Sequence, residues 1–326
     1  MSHPAPLNTD DGPSSTDSSP PNSPGAVFLP PHEPPSTPIN TQPQLRQWGA
    51  WAQQDWRTDT FIRGPTYLSS KHKIAARQPW MHCQELEVLS SKQRLDNVAG
   101  RPNSPIDKLN ADTPVPAGLT ALAPFHPSFT LVLTWAVPLK DSDGLYVVIY
   151  LRHNKQNLAA MANAQQTMAA RKHGATIDEK KVSVNQQGEY SDPALETAAR
   201  SAFLIALDRF VKSSNEYRDN HFKFIPKLVE GNFIVKKAIG SKPALIGTKL
   251  KQSYHINLTK NYMEIDVDVC SSKIAANIFG LVKKAAKELT IDFNFTIEGQ
   301  DLDTLPEVLI GGGRIINIDA KNAARP

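Results

Sequence analysis

The segment Tyr262-Met-Glu-Ile-Asp-Val-Asp-Val-Cys-Ser-Ser272 decides the fold. Its side chains alternate, with Ile265, Val267 and Val269 on one face and Glu264, Asp266 and Asp268 on the other, the period of two that specifies a strand with one apolar face. Ser271-Ser272 then offer capping hydroxyls to a helix over 273–289, along which Ile274, Ile278, Leu281, Val282, Ala285 and Leu289 recur at helical spacing. Alternation returns over 290–298, with Ile291, Phe293, Phe295 and Ile297 directed inward, so both strands face one core. If the two strands are parallel neighbours, their crossover is right-handed.

Outward from this unit, apolar alternation predicts further strands at 129–137, 145–151, 232–239 and 314–319. Asp141-Ser-Asp-Gly144 has the chemistry of a short hairpin turn and makes the first two antiparallel neighbours. Asp192-Pro193 is an N-cap acid followed by proline, and it opens a helix over 193–214 that buries Leu195, Ala199, Phe203, Ala206 and Phe210. A weakly amphipathic helix at 158–172 reads as peripheral, and 100–127 as a long loop. The expected fold is α+β, a mostly antiparallel β-sheet of six or more strands with packed helices, in one domain over 46–324.

Residues 1–45 hold 12 of the chain's 26 prolines, four acids and no Lys or Arg, a composition expected to stay disordered. Ser19-Pro20, Ser23-Pro24 and Thr37-Pro38 match proline-directed phosphorylation sites, though such dipeptides also arise by chance in a proline-rich tail. The whole chain of 326 residues carries +4, so 46–326 carries +8, being 36 basic minus 28 acidic residues. That balance argues against a strongly basic nucleic-acid arm and no nucleic-acid partner is expected, while an anionic partner fits. No apolar run is long enough to span a bilayer, the first ten residues lack a secretory h-region, and two cysteines make no disulfide framework. A cytoplasmic protein is the expectation.

Three carboxylates on one strand face suit a hard cation, but a solvated face, or one paired with Lys236 and Lys237, reads better, and no metal is expected. Gly240-Ser-Lys-Pro-Ala-Leu-Ile-Gly-Thr-Lys249 misses the phosphate-loop spacing and contains Pro243, so it reads as a tight loop. Gly311-Gly-Gly313 precedes a strand and reads as a turn or bulge. No motif for nucleophilic or metal-assisted catalysis appears, and the chain reads as no enzyme and as carrying no cofactor. Lys273, Asn277, Lys284 and Lys287 share an arc of the 273–289 helix, flanked by Lys283. Such a face suits anionic lipid headgroups, and it equally describes a core helix with solvated lysines.

The opening segment, its helix, Thr290-Ile-Asp-Phe293, Glu298-Gly299 and Leu305-Pro-Glu307 together resemble the C-terminal domain of the Enhanced Disease Resistance 2 proteins of plants. Phe61-Ile-Arg-Gly64, Asp208-Arg-Phe210, Phe224-Ile-Pro226 and Gly231-Asn-Phe-Ile-Val235 extend the likeness over about residues 56 to 324. Cys270 stands where the family usually has glycine, and 153–194 reads as an insertion. The resemblance implies a domain of unknown function with no assigned catalytic residues. In plants it follows a pleckstrin-homology and a START domain, neither of which fits within 1–45, so what carries over is an association with lipid-handling proteins. The expected function is therefore non-catalytic binding of a lipid or membrane surface. Lys273, Lys283, Lys284 and Lys287 would meet headgroups, and Ile274, Ile278, Leu281, Phe293 and Phe295 would line a lipid pocket between sheet and helix. The alternative is a protein-interaction scaffold recruiting partners through the Pro-rich tail and the inserted helix.

Overall fold

The computed structural model describes residues 50–52, 60–137, 143–170, 177–240, 242–317 and 323–326, with backbone alone at 50–52, Ile239, Lys283, Lys284 and Ala286. The tail expected at 1–45, with its Ser/Thr-Pro dipeptides, and the first half of the 141–144 turn lie outside the described residues.

In chain order the strands are β1 (Ala50–Ala52), β2 (Phe61–Arg63), β3 (Lys73–Ala75), β4 (Met81–Ser91), β5 (Thr130–Val137), β6 (Gly144–His153), β7 (Phe222–Glu230), β8 (Ala244–Leu245), β9 (Lys251–Asn257), β10 (Tyr262–Asp268), β11 (Thr290–Ile297) and β12 (Leu309–Ile316). The α-helices are α1 (Tyr67–Ser70), α2 (Pro105–Asp112), α3 (Leu158–Ala162), α4 (Ala164–Ala169), α5 (Pro193–Lys212), α6 (Asn215–Asp219), α7 (Phe233–Ile239) and α8 (Lys273–Ala285). The class is α+β with mostly antiparallel pairing, but ten of the strands divide between two five-stranded sheets rather than one, and β2 and β3 pair as a separate two-stranded sheet. The order β1-β12-β11-β7-β8 is antiparallel throughout. In β4-β6-β5-β10-β9 only β10 on β5 is parallel. β10 and β11 belong to different sheets, so α8 carries the chain from one to the other and the crossover rule does not apply.

Both strands do face one core. Met263, Ile265 and Val267 of β10, Leu131 and Leu133 of β5, and Phe293, Phe295 and Ile297 of β11 share it with α5. Trp135 of β5 lies 5.1 Å from the Phe224 ring and 6.4 Å from that of Phe295, contacts between the sheets. The Asp192 carboxylate accepts the Ala194 and Leu195 N–H groups at 2.8 and 3.4 Å, capping α5 as expected. Leu195, Ala199, Phe203, Ala206 and Phe210 are all buried, and Phe203 stacks on Trp80 at 4.6 Å.

The outer face of the second sheet is also covered. Val132, Tyr146, Val148, Tyr150 and Tyr262 pack beneath Val98, Ala99 and Ile106, so part of the expected loop at 100–127 is α2, with Pro105 at its first position. The helix expected at 158–172 is two short ones broken at Asn163. It is not peripheral, since Ala160, Met161 and Ala164 are buried and Ser201 of α5 donates to the Met168 carbonyl at 3.1 Å.

The strand expected at 232–239 is a helix, because the Asn232 side chain accepts the Val235 N–H at 2.9 Å and starts α7 there. A short apolar run fits either period until its cap is known. The strand lies just before it, as β7, masked in sequence by Pro226. That proline sits opposite Phe293, and β8 pairs only with Lys223 and Phe224, so β7 is an edge at this point. The strand expected at 314–319 begins earlier, as β12. Gly311 to Gly313 lie within it, with a register shift opposite Phe295 and Thr296, so the bulge holds and the turn does not. A Cβ on Gly311 would lie 2.9 Å from Leu151 Cδ1, which is why β12 needs glycine to approach β6.

Candidate functional site

α7 and α8 pack against each other at one corner of the first sheet. Val235 joins Leu228 and Leu289 in a small apolar cluster against Val282, Ala285 and Ile291. At ~100° per residue, Ala275, Phe279 and Val282 occupy one arc of α8, and Lys273, Ile274, Asn277 and Leu281 the opposite one. Ala275 and Phe279 rest on the main core. Phe279, the bulkiest apolar side chain of the helix, selects the arc that turns inward, and the wider stripe read from the sequence is only half used. Ile274 is left 74% exposed and Leu281 37% exposed, with Lys273 and Asn277 exposed beside them.

α7 repeats the arrangement. Val235 points in, while Phe233 and Ile234 are 76% and 65% exposed and Lys236 and Lys237 stand out on the same short helix. Lys236, Lys237 and Lys273 have no acidic partner among the described residues. Lys287, also exposed, follows α8, and Lys283 and Lys284 fall within α8 with their side chains outside the description.

The five residues expected to line a lipid pocket are not brought together. Phe295 is enclosed by Phe222 at 5.5 Å and Phe224 at 5.4 Å, Phe293 lies against it in the core, Ile278 is half-buried, and Ile274 and Leu281 face solvent. Two cavities, of about 380 and 560 Å³, are lined by none of the five.

The carboxylates of β10 are neither solvated nor paired with Lys236 and Lys237, which lie on α7. Glu264 is fully buried on the outer face of the second sheet and accepts the N–H groups of Val98 and Ala99 at 2.9 and 2.8 Å and the Thr134 hydroxyl at 2.6 Å. Asp266 accepts the Asn97 N–H at 3.1 Å and lies 2.9 Å from His255 Nε2. Asp268 meets a guanidinium, that of Arg94 at 3.2 Å. Burial first, and the Asp266 charge second, keep Glu264 protonated well above the ordinary carboxylate range. Asp266 Oδ1 is buried without a conventional partner, and a proton held between the two carboxyls accounts for both facts. These acids anchor the 95–99 segment. Among the described residues no group of three or more His, Cys, Asp or Glu is placed to hold a metal.

One assembly escaped the sequence reading, although Arg63, Glu298 and Glu307 lie in motifs that carried the resemblance. The Arg63 guanidinium reaches Glu298 at 3.0 Å and the Gly299 carbonyl at 2.8 Å, while Lys223 bonds Glu307 and lies 3.4 Å from Glu298. Glu307 accepts the N–H groups of Arg63 and Gly299, both at 3.1 Å. Two cations and two carboxylates balance with their hydrogen bonds made, a tie between β2, β7 and the chain leading to β12. Pairings across 84 to 244 positions leave no trace in local spacing.

Among the described residues no helix is long and apolar enough to cross a membrane. No solved structure matches the chain. The Arabidopsis thaliana protein called Enhanced Disease Resistance 2-like is 35% identical over 118 residues, which is 36% of this chain and 16% of that relative's length. The chain thus matches a small part of a much longer protein. The family model for the C-terminal region of Enhanced Disease Resistance 2 matches residues 51–319, and with the carboxylate strand, the Arg63–Glu298–Glu307 tie and the α7–α8 corner all inside that span, the chain belongs to the Enhanced Disease Resistance 2 C-terminal family.

Proposed function

We propose that this domain binds the surface of anionic membranes, without catalysis, by laying the α7–α8 corner on the lipid. One observation carries the reading: two packed helices each expose large apolar side chains beside lysines, Lys236, Lys237 and Lys273, that have no acidic partner among the described residues. Phe233, Ile234 and Ile274 gain by leaving water, at roughly 25 cal/mol per Å² of apolar area. Each lysine near an anionic surface adds about 1 kcal/mol, screened by salt. The expected headgroup face therefore includes Lys273 and Lys287 but extends to Lys236 and Lys237, and the apolar contribution comes from exposed side chains rather than from a pocket. The protein is accordingly placed in the cytoplasm, peripheral to a membrane.

Flotation with phosphatidylcholine vesicles containing phosphatidylserine tests this. The wild type is expected to float, less so at high salt. Lys236→Glu with Lys237→Glu and Lys273→Glu should weaken binding by at least about a hundredfold, since some 3 kcal/mol of attraction is removed. Phe233→Asp with Ile274→Asp should abolish flotation at every salt concentration, with unchanged circular dichroism because both sites are exposed. Full flotation of both folded variants would remove this corner from the function, and a wild type that never floats would favour the scaffold.

A further inference from the structure

The open cavity of about 560 Å³ lies where the second sheet's edge strand meets the start of α8. Lys249 and Lys251 line it, both exposed, and neither has an acidic partner among the described residues. Arg94 supplies a third cation, held by Asp96 at 3.0 Å and Asp268 at 3.2 Å. The acids of the wall are already engaged. Asp268 also accepts the N–H groups of Cys270 and Ser271, and Asp219 accepts the Tyr254 hydroxyl at 2.8 Å. Gln252, on the same wall, has a side-chain nitrogen buried without a hydrogen-bond partner, a donor in want of an acceptor. The wall is stiff, because Gly247 lies so close to Asp219 that a Cβ would come within 2.5 Å of the Asp219 Cβ. Lys251 N–H is fixed to Ser271 Oγ at 2.9 Å.

We propose that this cavity takes a phosphomonoester group, that of a lipid headgroup when the α7–α8 corner lies on a membrane, a placement that rests on the function proposed above. A phosphomonoester carries nearly two charges at neutral pH and three acceptor oxygens, whereas a diester carries one charge, so two lysines without an acidic partner among the described residues and an oriented guanidinium favour the monoester. The cavity far exceeds one phosphate and leaves room for the alcohol that bears it. Ser271 lines the cavity, and Lys273 and Ile274 follow within one turn of chain, so an occupied cavity and a docked helix are contiguous along the chain. Thr248 and Lys249, from the segment whose glycine spacing fails the nucleotide-loop pattern, sit on its rim ahead of a strand, which gives that near miss a phosphate role of another geometry.

Flotation on phosphatidylcholine vesicles carrying phosphatidic acid or phosphatidylserine at matched surface charge, with Lys249→Ala plus Lys251→Ala, tests the site. The wild type should prefer phosphatidic acid by about tenfold or more. The double variant should lose that preference while still floating on phosphatidylserine, and Lys249→Arg plus Lys251→Arg should restore it. A wild type without preference, or a folded Ala variant that keeps it, overturns the cavity and leaves the corner standing. If the wild type floats on neither vesicle, the corner has failed, and titration with inorganic phosphate followed by NMR at Lys249 and Lys251 decides. A saturable shift lost in the Ala variant supports the site for a soluble monoester, and no shift overturns it.

Discussion

α5 and α8 are both amphipathic helices with good N-terminal capping chemistry, yet the molecule treats them differently. α5 packs on the core that the two sheets share, and every member of its expected stripe is buried. α8 sits at a corner beside α7, where it buries Ala275, Phe279 and Val282 in part and leaves Ile274 and Leu281 out. The period of a stripe shows that a helix has an apolar side. How much of that side is covered depends on how many neighbours the topology supplies, and the uncovered remainder is available for another surface.

The contrast can be broken most directly by truncation. Phe203→Ala removes a ring stacked on Trp80 and should cost about 3–5 kcal/mol of stability in chemical denaturation. Ile274→Ala should change it by less than about 0.5 kcal/mol, because that side chain has little to lose. A large loss at Ile274 would mean that the corner is packed, and the contrast would collapse. A smaller effect sharpens it. Asp192→Ala should cost about 1 kcal/mol, since two N–H groups lose their acceptor at the start of α5. A neutral result would show that α5 is held by its stripe alone.

What was legible in the sequence follows the same physics. β5, β6, β10, β11 and α5 were readable because their period is set by one dominant core face. Besides the two- and three-residue strands β1, β2, β3 and β8, the longer β4, β7 and β9 were missed. β4 carries a register shift between Cys83 and Glu85 that breaks its alternation, β7 contains Pro226, and β9 is an edge with mixed exposure. The lysine at 273 was readable as exposed, whereas Phe233 and Ile234 were taken for strand residues, because only the Asn232 cap distinguishes a helix there. The two sheets could not be separated, since alternation tells which side of a strand is inward and not which strand lies across the core. The acids of β10 were placed on the right face, but that this face is roofed by 95–112 depends on contacts more than 150 residues apart.

That roof turns the Glu264–Asp266 pair into a titratable latch. Burial holds the Glu264 proton, and the Asp266 hydrogen bond raises the affinity of His255 for its own. Both groups bind a proton more tightly in the folded chain than in an unfolded one, where glutamate titrates near ~4.3 and histidine near ~6.5. Their contribution is complete below those values and is lost as pH rises through the elevated ones, so the thermal midpoint should fall from weakly acidic toward alkaline solution. Asp266→Asn should flatten the slope, because it removes the charge that opposes Glu264 ionisation and the partner that favours His255 protonation. The Val98 and Ala99 amides, which Glu264 holds, should be where hydrogen exchange first accelerates as the base concentration climbs, after correction for intrinsic rates. Equal protection of these amides across the range would show that no proton is shared. If the latch does open, the 94–101 segment that it releases includes Arg94, and alkaline solution would loosen one wall of the cavity beside α8 without touching a lysine.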